Sequence, residues 1–188
     1  MTKQVLVIHG GDTFKTYEEY LQYLKVRPVD LGSLKKQNWQ VNLQADLGNG
    51  YEVITPKMPN KNNAHYLEWQ IWLEKIIPLL DPMVTLVGSS LGGIFLVKYL
   101  AENKFPKQID SLHLVAAPFD DEGSDYTLGD FALTSDLTSA AEQAKQVIIY
   151  QSTDDPVALP LNATKYQQAF PTAILKMFSD RQHFKQDH

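Results

Sequence analysis

The sequence predicts an α/β protein, a three-layer sandwich of about six parallel strands with helices on both faces. Three observations carry this. Short apolar, β-branched runs recur at residues 4–8, 51–55, 83–87, 109–116, 146–151 and 172–178. Several are apolar at successive rather than alternate positions, as strands buried on both faces require. Segments with helical spacing lie between them, and such alternation implies right-handed βαβ crossovers and a parallel sheet. A chain of 188 residues that is 44% hydrophobic suits one domain over residues 1–188 with one sizeable core.

The first run ends in His9-Gly10-Gly11-Asp12. Thr16 is placed to cap a helix through Tyr17, Tyr20, Leu21, Tyr23 and Leu24, which must stop near Arg27 because Pro28 follows. Residues 29–37 read as loop or ragged helix, and residues 38–47 as a short helix closed by Gly48-Asn49-Gly50. After the second strand, residues 56–64 carry two prolines and three asparagines and read as a loop. Residues 65–80 form an amphipathic helix, with Trp69, Trp72, Leu73, Ile76, Ile77 and Leu80 at helical spacing. That spacing assigns both tryptophans to the core rather than to a ligand pocket. The third strand runs straight into Gly88-Ser89-Ser90-Leu91-Gly92-Gly93, and a helical pattern follows in Ile94, Val97, Leu100 and Ala101. The fourth strand is followed by an irregular acidic stretch over residues 118–136, then by helices near 137–144 and 161–170 on either side of the fifth strand.

Composition removes several classes of function. The chain has no cysteine, which excludes disulfides, thiolate catalysis and cysteine-ligated metals. Net charge is −5, and no cluster of Lys and Arg stands out, so nucleic acid is not an expected partner. No run approaches 18 apolar residues, so no membrane span is expected. Met1-Thr2-Lys3 leads into a strand without an apolar signal region, which fits a cytoplasmic protein. No repeat, domain boundary or signal for an oligomeric state is present. The glycine stretch lacks both G-x-G-x-x-G and the lysine of a phosphate loop, which argues against a nucleotide-binding domain. No cofactor and no metal are expected; Asp120, Asp121, Glu122 and Asp125 do not follow a calcium-loop spacing.

What remains is a strand, a tight glycine turn, a serine and a helix, the context a G-x-S-x-G nucleophile elbow requires. Gly88 and Gly92 lack Cβ atoms, so strand and helix can cross closely beside Ser90. A serine hydroxyl is a poor nucleophile at neutral pH and needs a base, which in turn needs a partner to fix its tautomer. His183, in a polar turn after the final strand, is the expected base. His113 lies inside a strand, His65 starts a helix, and His188 ends the chain. His9 lies at the correct end of the first strand, beside the expected oxyanion site, and is a substrate-pocket candidate. The acid is Asp155 or Asp154; Pro156 pushes Asp155 towards extended dihedrals, which suits a carboxylate projecting from a strand end. Two backbone N–H groups would face a developing oxyanion, one from Leu91 and one from Gly10 or Gly11. His9, Ser90, Asp155 and His183 all follow strands and so share one edge of the sheet, where such folds bind ligands. Phe119, Tyr126, Leu128 and Phe131 lie in the acidic stretch 118–136 after the fourth strand, which reads either as a lid-like segment that closes over a substrate or as a solvated loop.

Four segments together, V-L-V-I-H-G-G, L-V-G-S-S-L-G-G, S-T-D-D-P-V and D-R-Q-H-F, resemble the α/β-hydrolase superfamily in its Ser…Asp…His order. The small size and the S-T-D-D-P element resemble the compact serine hydrolases of the retinoblastoma-binding protein nine type. The resemblance implies a minimal α/β-hydrolase fold without the two antiparallel strands that open larger members. It implies Ser90 as nucleophile, Asp155 as acid and His183 as base, acting on a small ester, thioester or amide, most nearly as a carboxylesterase. The alternative is a catalytically silent binding module on the same scaffold. The chain departs from the family in having Gln182 where many members carry glycine before the histidine, and Ser89 where many carry histidine before the nucleophile.

Overall fold

The structure, a computed structural model, describes residues 2–35, 39–133 and 136–186. In chain order the strands are β1 (Lys3–Ile8), β2 (Tyr51–Ile54), β3 (Met83–Ser89), β4 (Gln108–Val115), β5 (Val147–Ser152) and β6 (Ile174–Phe178). The helices are α1 (Tyr17–Val26), α2 (Leu31–Lys35), α3 (Trp39–Leu47), α4 (Tyr66–Ile76), α5 (Leu91–Glu102), α6 (Thr138–Gln143) and α7 (Leu161–Ala169). Asn38, the expected start of α3, and His188 lie outside the described residues, as do residues 134–135 of the acidic stretch. All six strands are parallel, in the order β2-β1-β3-β4-β5-β6. The expected α/β sandwich is the observed fold.

This order contains one reversal. The chain leaves β1 for one edge at β2, crosses back to β3, and then steps strand by strand to the other edge. The reversal therefore falls between β1 and β3, whose ends are in register at Ile8 and Gly88. Loops leaving those two tips diverge to opposite sides and open a crevice between them.

The side-chain period of two divides the strands between two cores. Leu6, Ile8, Val84, Leu86, Leu112, Leu114, Val147 and Ile149 face a large core closed by α4, α5, α6 and α7. Val5, Val7, Val87 and Val115 face a small one, covered by Trp39 and Leu43 of α3 and by Phe184. On this thinner side the floor also carries a polar ladder across β3, β4 and β5. Thr85 Oγ1 lies 3.4 Å from Ser111 Oγ, Ser111 Oγ 3.0 Å from His113 Nε2, and His113 Nδ1 3.0 Å from the Tyr150 hydroxyl. Tyr150 also stacks on the imidazole, with ring centroids 5.8 Å apart. A cavity of about 600 Å³ lies over this floor, beside α3.

Two expectations are corrected. The helix expected to reach Leu80 ends at Ile76 and continues as one 3₁₀ turn, Ile77–Leu79, because Pro78 has no N–H to extend the α-helical ladder. Trp72 is not a core residue. Tyr66, Trp69 and Leu73 form the buried stripe of α4, and Trp72 falls outside that stripe and is 41% exposed. Trp69 is fully buried, donating from Nε1 to the Pro59 carbonyl at 2.8 Å. No described helix is long and apolar enough to cross a membrane.

Candidate active site

Ser90 sits between β3 and α5 with φ 52° and ψ −123°, a left-handed-side conformation that a β-carbon disfavours. Its N–H donates to the Val115 carbonyl at 2.8 Å, and its own carbonyl accepts from Gly93 N–H at 2.8 Å. The elbow is held by close approach of backbone to backbone. A Cβ on Gly88 would lie 2.5 Å from both the Gly92 carbonyl oxygen and the Gly93 Cα. A Cβ on Gly92 would lie 2.3 Å from the Ile8 carbonyl oxygen. The register of β1 against β3 brings Gly10 to the serine: a Cβ there would sit 3.0 Å from Ser90 Cβ and 3.6 Å from its Oγ. Leu91 opens the first turn of α5, where N–H groups lack helical acceptors and the helix dipole is positive. The Leu91 and Gly10 backbones thus flank the hydroxyl from two sides.

His183 Nε2 lies 2.9 Å from Ser90 Oγ. Its Nδ1 lies 2.9 Å from Asp155 Oδ2 and 3.1 Å from Oδ1. A carboxylate can only accept, so Nδ1 carries the proton and Nε2 offers a lone pair to the serine hydroxyl. The Asp155 side chain is fully buried. It is held by the turn that follows it: Oδ1 accepts from Val157 N–H at 2.8 Å and Ala158 N–H at 3.0 Å. The first of the two adjacent carboxylates does something different. Asp154 Oδ1 accepts from the Ser152 hydroxyl at 2.5 Å and from Gln182 N–H at 2.8 Å. Of the two acids read from the sequence, Asp155 is the one bonded to the imidazole.

Ser90, Leu91, Gly10, Gly11, His9 and His183 line a cavity of about 600 Å³ above the sheet edge. His9 lines it through a fixed ring. Its Nε2 accepts from Met58 N–H at 2.9 Å, its Nδ1 lies 2.6 Å from the Gly10 carbonyl, and it meets Trp69 edge-on. Burial lowers its pKa, keeping it neutral.

Of the four residues expected to close over a substrate, Tyr126 and Leu128 line this cavity, while Phe119 and Phe131 do not. Phe131 is fully buried among Tyr66, Trp69 and Phe95, so as a pocket candidate it is corrected to core. Phe119 packs edge-on against Tyr166 and does not line the cavity; its N–H donates to Asn162 Oδ1 at 2.8 Å. Pro118, Asp120, Tyr126 and Leu128 line the cavity instead. Lys98 Nζ donates to the carbonyls of Asp130 and Ala132 at 2.8 and 3.0 Å, and Asp130 Oδ2 accepts from Tyr66 N–H at 3.0 Å. Asp120 and Glu122 are both bridged by Lys165.

Sequence reasoning missed Ser152 and Gln182 as parts of the site. The signal was Gln182 standing where a glycine is usual. Its φ is 47°, the left-handed region that glycine enters without cost.

A family model described as serine hydrolase matches residues 31–188. No curated protein matches the chain. Among solved structures, the ydeN gene product of B. subtilis is similar over 97% of this chain and 88% of its own, at 22% identity and a TM-score of 0.72. The meta-cleavage product hydrolase CumD of Pseudomonas fluorescens is similar over 97% and 84%, at 14% identity and a TM-score of 0.67. A carboxylesterase of the thaumarchaeon Nitrososphaera gargenis is similar over 97% and 83%, at 13% identity and a TM-score of 0.62. These likenesses speak for the α/β-hydrolase fold, and the match of the family model over most of the length places the chain in the serine hydrolase family.

Proposed function

We propose that this protein hydrolyses a small ester, thioester or amide through an acyl-enzyme on Ser90, as a compact carboxylesterase-like hydrolase of the retinoblastoma-binding protein nine type. The observation that supports this most is the unbroken path from Ser90 Oγ to His183 Nε2 to Asp155 Oδ2, with 2.9 Å at each step. His183 Nε2 takes the hydroxyl proton as Oγ attacks the substrate carbonyl. The resulting oxyanion is met by N–H groups of Leu91 and of Gly10 or Gly11; one such donor is worth roughly 3 kcal/mol of the barrier. The imidazolium, stabilised by Asp155, returns its proton to the leaving alcohol, thiol or amine, and the C–O, C–S or C–N bond breaks. Water then attacks the acyl-serine by the same path, releasing the acid and the free hydroxyl. The substrate is a small acyl compound of the cytoplasm, with neither nucleic acid nor membrane as partner.

A fluorophosphonate probe tests this. It is expected to label the folded wild-type protein at Ser90 and to leave Ser90→Ala unlabelled. Turnover across p-nitrophenyl esters of graded chain length, thioesters and aminoacyl anilides then identifies the acyl group and bond. A folded protein that neither reacts with the probe nor turns over any of these would overturn the proposal in favour of a silent binding module.

A further inference from the structure

The two neighbouring carboxylates of the S-T-D-D-P element divide one task. We propose that Asp154 is a positioning residue which, together with Ser152, clamps the left-handed turn at Gln182 and so presents His183 to Ser90. This rests on the catalytic reading of His183 given above.

His183 is flanked by two non-glycine residues with positive φ, Gln182 at 47° and Phe184 at 48°. A β-carbon destabilises each of these conformations, so the loop holds its shape only if other bonds select it. Two consecutive amides before the imidazole are bonded to the end of β5. Asp154 Oδ1 accepts from Gln182 N–H at 2.8 Å, and Ser152 Oγ accepts from Arg181 N–H at 3.1 Å. The two acceptors are themselves joined, since the Ser152 hydroxyl donates to the same Asp154 Oδ1 at 2.5 Å. Ser152 is fully buried in a strand, which gives the clamp a rigid base. The Ser152 hydroxyl and the amides of residues 181 and 182 hold the Asp154 carboxyl below its ordinary pKa, so it stays ionised and accepting at neutral pH. Asp155 orients the ring from its Nδ1 side, and Asp154 fixes the main chain from which the ring hangs. A glycine at 182 would adopt the turn unaided; here a charge-assisted bond does what glycine does elsewhere.

The test compares Asp154→Ala, Asp154→Asn and the double variant Asp154→Ala/Gln182→Gly in steady-state hydrolysis of p-nitrophenyl acetate, alongside fluorophosphonate labelling and thermal melts. Asp154→Ala is expected to lower kcat about 10- to 100-fold with little change in KM, because a displaced base loses reactivity rather than substrate binding. Asp154→Asn keeps Oδ1 as acceptor and is expected to stay within about threefold of wild type. Gln182→Gly placed on Asp154→Ala is expected to recover most of the lost kcat. A melt shared by all three variants separates this from general destabilisation. An Asp154→Ala protein with wild-type kcat, or a loss that neither asparagine nor the glycine recovers, would overturn the proposal while leaving Ser90 labelling intact. Failure of wild-type labelling would instead sink the catalytic reading itself.

Discussion

Asp155→Asn offers a sharp test of the catalytic reading, because the structure dictates how the amide must sit. Oδ1 accepts two main-chain N–H groups, from Val157 and Ala158. An asparagine must keep its oxygen there, since an NH₂ group facing two donors would leave all three unpaired. The NH₂ then takes the place of Oδ2, 2.9 Å from His183 Nδ1. Oδ1 also lies 3.1 Å from Nδ1, but it already accepts two N–H groups, so the nearer NH₂ favours the tautomer with its proton on Nε2. The imidazole then presents N–H, not a lone pair, to Ser90 Oγ 2.9 Å away, and can no longer take the hydroxyl proton. The fold is nearly isosteric, so the loss falls on kcat. Wrong-tautomer triads in serine proteases lose about 10⁴-fold, or about 5 kcal/mol of barrier, and a loss of that order is expected here. The assay is kcat/KM on p-nitrophenyl acetate with a melt to confirm folding. A folded Asp155→Asn enzyme within about tenfold of wild type would refute the tautomer argument.

Other perturbations follow from the same geometry. Gly88→Ala places a Cβ 2.5 Å from two backbone atoms of α5, which must withdraw by about 0.9 Å to restore an ordinary contact near 3.4 Å; chemical denaturation should register a loss of about 1–3 kcal/mol, and fluorophosphonate labelling should slow. Ser90→Gly removes the nucleophile but also the β-carbon at φ 52°, so a raised melting midpoint, by about 2–4 °C for each kcal/mol of strain relieved, is expected from calorimetry. Burial, aided by Lys176, lowers the His113 pKa below the usual 6.5. The unfolded chain therefore binds a proton near pH 6.5 that the folded chain refuses, and stability held above that pH is lost as pH falls through the lower folded value. His113→Phe should flatten this slope in denaturation curves taken between pH 7 and 5; an unchanged slope would contradict it.

Much of the site was legible in the chain because its parts obey local rules. Gly88 lies at the end of a buried strand, Gly92 in the first turn of the next helix and Ser90 between them, where the backbones pass too closely for side chains at either glycine. Asp155 before Pro156, and His183 after the last strand, had to emerge at the same sheet edge as Ser90 once the sheet was parallel. The aromatic residues of the stretch 118–136 were not legible in this way. Phe131 and Phe119 have no period to fix their direction, and long-range contacts with Tyr66, Trp69 and Tyr166 decide where they point. Trp72 shares the α4 pattern with Trp69, yet a shift of three residues carries it past the rim of the buried stripe. Gln182 hid its role for another reason: its left-handed turn depends on Asp154, a partner 28 residues earlier.

The unequal thickness of the two sides of the sheet has a consequence for how the enzyme should fail on heating. Ser90 is rooted in α5, whose residues pack into the broad hydrophobic body behind β3. The base hangs from a segment whose anchor, Phe184, packs against the small valine cluster and against Phe178, its ring 5.6 Å away. Sub-global opening begins where the fewest apolar contacts must be broken. Warming should therefore disconnect the proton acceptor while the nucleophile still stands in its elbow, and turnover should fade at temperatures where amides of α5 remain closed to solvent exchange.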